Sequence, residues 1–130
     1  MKRLSILLGV AFICLTMIGC ASRTAGVKLD SEGSYQIDNK RFASDITLTN
    51  NKLRQVGEQL QGAVTIVSDS SRTKSVEYRF IWFDANNFEI EPDSETWQPL
   101  TIYGKESKQV TSVAPNSTAT KFEVYVRRLH

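Results

Sequence analysis

Side chains able to do chemistry are scarce in this chain. His130 is the only histidine and the last residue, and a terminal imidazole has nothing to hold it against a nucleophile. The cysteines, Cys14 and Cys20, lie within and at the end of an apolar amino-terminal run. No His-Glu-x-x-His, Cys-x-x-Cys or glycine-rich phosphate loop occurs. The chain therefore reads as a non-enzyme, with no catalytic residue, no metal site and no cofactor. The run EIEPDSE gathers Glu89, Glu91, Asp93 and Glu95, oxygen ligands of the kind calcium takes. It lacks the order and the glycine of an EF-hand loop, and acid-rich turns are commonly just solvated. Asn116-Ser-Thr matches a glycosylation sequon but reads as a turn. Asp84, placed before Ala85-Asn86-Asn87, reads as a short carboxylate accepting backbone N–H groups inside a turn.

The informative cysteine is Cys20. Lys2 and Arg3 precede an uncharged run from Leu4 to Ile18 that ends in Gly19-Cys20. That run is shorter than the roughly 20 residues a membrane-spanning helix needs, and reads as a cleaved leader, residues 1–19. TMIGC resembles the lipobox of bacterial lipoproteins: Gly19 and Cys20 match, Met17 stands where leucine is usual, and Ile18 where a small residue is commoner. Cys14 is no rival, because bulky Ile13 precedes it. The resemblance implies lipidation of Cys20. Acyl chains contribute about 0.8 kcal/mol per buried methylene, so two or three give a stable anchor. Ala21 rather than aspartate follows the cysteine, which favours the periplasmic face of the outer membrane.

Loss of the leader removes Lys2 and Arg3 and brings the 16 basic residues level with the 14 acidic ones. No basic excess remains to attract nucleic acid. With Cys14 gone and Cys20 acylated, the domain has neither a free thiol nor a disulfide. About 110 residues are enough for one small domain. Residues 20–44, poor in bulky apolar side chains and interrupted by Gly26 and Gly33, read as a flexible tether. The domain proper is expected over residues 45–130.

From residue 45 onward the pattern has period two, with no convincing helix. GAVTIVS and VEYRFIWFD are the best strands, the latter with Val76, Tyr78, Phe80 and Trp82 on one face. KFEVYVRR closes the chain with Phe122, Val124 and Val126 on one face. NKLRQVGEQLQ is ambiguous between helix and strand, and Pro99 puts its strand at an edge or begins it. About seven short strands at roughly 8–12-residue spacing point to an all-β, immunoglobulin-like sandwich in which Trp82 packs without a disulfide. A small up-and-down barrel is the alternative.

YRFIWFDANNFEIEP, a following tryptophan and APNSTATKFEVYVRR together resemble the YcfL family of periplasmic lipoproteins. The resemblance covers roughly residues 45–128, and YRFIWFD is its most specific part. Asn87 departs from it, since such sequences often have glycine there. It implies a sandwich fold and a periplasmic address, and no reaction.

If Trp82 and its neighbours of like parity point inward, Arg79, Ile81 and Phe83 point outward. The last strand then shows Tyr125 and Arg127 on the same side. Arginine with aromatic and aliphatic groups is the composition of a protein interface, unless another segment covers Ile81 and Phe83. Trp97 and Tyr103 are the candidate stacking platform for a glycan. The expected function is a lipid-anchored periplasmic adaptor, non-catalytic, that binds another envelope protein. A peptidoglycan- or glycan-binding module is the alternative. A cell-wall hydrolase built on paired carboxylates, which leave no motif, is the remote one.

Overall fold

Alternation of bulky apolar and polar side chains builds nearly all of this structure, because successive residues of a strand face opposite ways. The computed structural model describes residues 25–92 and 96–129. The leader, Cys20, residues 93–95 and His130 fall outside the described residues. Eight strands and one short helix follow in the order β1 (Gly26–Asp30), β2 (Tyr35–Ile37), α1 (Lys40–Asp45), β3 (Ile46–Val56), β4 (Gln59–Ser68), β5 (Lys74–Asp84), β6 (Gln98–Ile102), β7 (Ser107–Val113) and β8 (Ala119–Arg128). They form a larger sheet, β2-β1-β8-β5-β6, and a smaller one, β3-β4-β7. Every pairing is antiparallel. Two separate sheets with open edges make this a sandwich and rule out the barrel.

In the immunoglobulin order, β3, β4 and β7 stand as strands A, B and E, and β5 and β8 as C and F. The place beside F is filled by β1, from the amino-terminal side. This corrects the expected tether over residues 20–44, because the sandwich already begins at Gly26. Val27 and Leu29 are buried at 0% and 4% exposure, and the backbone of β1 is paired on both sides. Close approach requires glycine at position 26, where a Cβ would lie 1.9 Å from the Val126 carbonyl oxygen. Helix α1, also unexpected, is capped by Asn39, whose side chain accepts from the Arg41 and Phe42 N–H groups at 3.0 and 3.1 Å. Phe42 docks into the core. The ambiguous segment is a hairpin, because β3 and β4 pair to its tip from Lys52↔Ala63 to Val56↔Gln59.

The core centres on three aromatic rings. Phe122 lies 5.4 Å from both Trp82 and Phe80, ring centroid to centroid, in tilted geometry. The fully buried Trp82 satisfies its indole N–H across the sandwich on Ser112 Oγ at 3.3 Å. Gly62, on β4 of the facing sheet, leaves the notch that receives Phe122: a Cβ there would sit 2.6 Å from the ring's Cε2.

Gly62→Ala is accordingly expected to lower stability by about 1–3 kcal/mol through overpacking. In a Phe122→Leu background the added cost should shrink, since the smaller side chain frees the notch. A double-mutant cycle by urea unfolding checks this; strictly additive losses would contradict it.

Candidate functional site

Strand register brings the expected interface residues together on the outer face of the larger sheet. Arg79 is opposite Tyr125, Ile81 opposite Glu123, Phe83 opposite Lys121, and Glu77 opposite Arg127. The face is occupied by its own contacts. Arg127 Nε donates to Glu77 Oε1 at 2.6 Å, and its guanidinium lies 3.8 Å from the centroid of the Trp97 ring. The Arg79 guanidinium lies 5.2 Å from the same ring, with its Nε buried and without a hydrogen-bond partner. Tyr125 donates to Glu123 Oε1 at 2.7 Å, and Lys28 reaches that carboxylate at 3.6 Å. Ile81, although of outward parity, is only 8% exposed. Phe83 is half-buried and lines a cavity of about 300 Å³ with Asp30, Glu32, Lys121 and Glu123.

Trp97 and Tyr103 do not form one platform. They flank opposite ends of β6; Trp97 faces the two arginines, and the exposed Tyr103 has Lys108 Nζ 5.7 Å from its ring centroid. Asp84 does what its turn requires, accepting the Asn86 and Phe88 N–H groups at 2.8 and 3.0 Å while Asn87 takes positive φ. Of the acidic run, Asp93 and Glu95 lie outside the described residues. No group of His, Cys, Asp and Glu among the described residues could hold a metal ion.

The open surface is the outer face of the smaller sheet, which sequence reasoning missed. A groove of about 590 Å³ is lined there by Lys52, Leu53, Arg54, Gln61, Ala63, Gln109 and Thr111. Ala63 stands opposite Lys52 on one neighbouring strand and Thr111 on the other, so a small floor lies between longer side chains. A register shift between Thr49 and Lys52 bends β3 beside it, with Asn50 at a φ of 54°. Arg54 Nε donates to Gln61 Oε1 at 2.7 Å. Lys52 makes no ion pair among the described residues. Nearby, Leu53, Val56 and Val113 are 40%, 45% and 47% exposed. The lining holds two cations, amides and a hydroxyl, with no carboxylate. Such a surface suits a polar, negatively charged and extended ligand. Period-two alternation carried through NKLRQV would have set Lys52 and Arg54 on one face, but the helix-like spacing of Leu53, Val56 and Leu60 masked it.

A family model described as a protein of unknown function (DUF1425) matches residues 33–128. Among solved structures, a DUF1425 family member from Shewanella sp. pv-4 is 32% identical, with a TM-score of 0.63 over 81% of this chain and 97% of that one. Campylobacter jejuni cj0090 shares the fold at 21% identity, with a TM-score of 0.54 over 63% of this chain and 85% of that one. No curated protein matches the chain.

Burial first, and then the bond to Glu123, raises the pKa of Tyr125 above its ordinary value. Tyr35 is raised too, mainly by burial, while its hydroxyl accepts the Leu48 N–H at 3.2 Å. A raised phenol favours the protonated folded state. Its contribution is intact below about pH 10 and is lost as pH climbs through the folded value. Tyr125→Phe should therefore flatten the alkaline fall in the urea midpoint above about pH 10, without changing the profile near neutrality. An unchanged alkaline slope would contradict this reading of the face.

Proposed function

We propose a function from one premise: the chain belongs to the DUF1425 family. It is a non-catalytic adaptor of the bacterial envelope, held to a membrane through acylated Cys20, that binds an acidic, extended segment of another envelope protein. The supporting observation is the groove on the smaller sheet, in which Lys52 and Arg54 stand over an uncharged floor with no carboxylate among the lining residues. Exposed Leu53, Val56 and Val113 beside it offer apolar contact at the rim of a charged site, the mixture that protein partners use. The TMIGC leader and the YcfL-like YRFIWFD block support the lipoprotein reading and the periplasmic address. Ala21 after the cysteine supports the outer membrane. The outer face of the larger sheet, expected to be the interface, is the weaker candidate because Ile81 is buried and the arginines are already engaged. The glycan reading is weaker too, since Trp97 and Tyr103 lie at opposite ends of β6.

Lys52→Glu combined with Arg54→Glu should weaken partner capture about tenfold, as two exposed attractions become repulsions. Both side chains are exposed, so the thermal midpoint should move little. In-cell crosslinking and affinity capture of the tagged protein measure the first, and calorimetry the second. Unchanged capture by the double variant would overturn the groove as the site. Recovery of cell-wall sacculi in place of a protein would favour the glycan module.

A further inference from the structure

The strands run between two chemically opposite ends. At one end the chain enters at Gly26 and leaves through Arg127–Leu129, since Gly26 pairs with Arg127. The α1, β4–β5 and β6–β7 connections gather there: Asp69 N–H donates to Asp45 O at 2.8 Å, Lys105 N–H to Ser70 O at 2.9 Å, and Leu129 N–H to Ser75 O at 3.1 Å. Lys40, Arg41, Arg72, Lys105 and Arg128 are exposed at this end, and none makes an ion pair among the described residues. Four acids share this end with seven cations, Lys74 and Lys108 included. Asp45 pairs with Lys74 at 3.1 Å and Glu106 with Lys108 at 3.8 Å. Asp38 accepts from Gln36, and Asp69 from Thr47. Ile37, Tyr103 and Leu129 stand exposed among the cations.

The opposite end is acidic. Asp30, Glu32, Asp84, Glu89 and Glu91 collect there, and Lys121 is hydrogen-bonded to Asn87. Beyond the leader, acidic and basic residues are equal in number, so this polarity is one of arrangement and not of excess.

We propose that the basic end docks on an anionic phospholipid surface, with Ile37, Tyr103 and Leu129 entering the headgroup region between the cations. The proposal rests on acylation of Cys20, and chain length gives it direction. Gly26 follows Cys20 by six residues, a stretch that reaches at most about 20 Å fully extended. The 11 residues of β5 alone span about 35 Å. A lipid on Cys20 thus keeps the Gly26 end near the bilayer and prevents the acidic end from being presented to it. The β3–β4 hairpin tip is left pointing away from the membrane, and the groove opens sideways from the smaller sheet, toward a partner.

The test uses the processed protein purified from bacterial membranes. Intact mass reads the anchor: a diacylglyceryl group on Cys20 is expected, and an unmodified cysteine would overturn the anchor and the proposal resting on it. Hydrogen exchange then reads the docking, with the protein reconstituted in vesicles containing phosphatidylglycerol and in purely zwitterionic vesicles. Amides of residues 37–41, 70–74, 103–106 and 127–129 should exchange at least about fivefold more slowly on the anionic vesicles. Protection should vanish in about 0.5 M salt and in Arg41→Glu combined with Arg128→Glu. Equal exchange on both vesicles, with Cys20 acylated, would overturn docking and leave the anchor standing. Protection confined to residues 30–34 and 84–91 would overturn the orientation.

Discussion

The ring of Phe122 seated in the notch left by Gly62 is the contact on which the rest of this structure depends. It fixes how closely β8 and β4 approach, and through them how the two sheets face each other. Trp82 and Phe80 close around the same ring, and Ser112 answers the indole N–H from the far sheet. Because side chains alternate along a strand, the register that turns Phe122, Val124 and Val126 inward also turns Glu123, Tyr125 and Arg127 outward. On β4 the same rule sends Val64 and Ile66 into the core and presents Gln61 and Ala63 to the groove. Both surfaces are therefore consequences of one internal contact.

The two outer faces differ in how their polar groups are satisfied. On the larger sheet, Arg127 and Glu77 are matched within the molecule, as are Tyr125 and Glu123, and Trp97 covers both arginines although the Arg79 Nε has no hydrogen-bond partner. A partner there would have to displace contacts already made. On the smaller sheet the small floor at Ala63 and the unpaired Lys52 leave cation and amide donors facing solvent. A ligand there meets one internal contact, the bond from Arg54 Nε to Gln61 Oε1, and no ion pair at Lys52. Electrostatics of this kind sets orientation and encounter rate more than raw affinity, which fits the adaptor role proposed above.

Strands with dense alternation were legible in the sequence, above all VEYRFIWFD, where Trp82 packs without the disulfide that immunoglobulin domains place beside it. Pro99 signalled an edge, and β6 is one. What escaped were elements whose state is decided far away in sequence. Val27 and Leu29 are too few to mark a strand among glycines and serines. Their strand exists because β8, at the other end of the chain, leaves an unpaired flank that β1 fills. Helix α1 is too short to show a period, and only its Asn39 cap and Phe42 anchor define it. Parity placed Ile81 and Phe83 outward correctly, but burial of Ile81 depends on the packing of neighbouring side chains, which parity does not encode. The groove depends on residues from three strands and a bulge that sets their register, so no single stretch announces it.

The account turns on which outer face meets the partner. A photo-crosslinking residue placed in turn at Thr111, on the smaller sheet, and at Tyr125, on the larger, tests that in living cells with mass spectrometry of the joined peptides. The account expects crosslinks from Thr111 to one envelope protein, through a segment richer in carboxylates than in cations, and none from Tyr125. Crosslinks to that protein from Tyr125 alone would contradict it and return the interface to the face of the larger sheet.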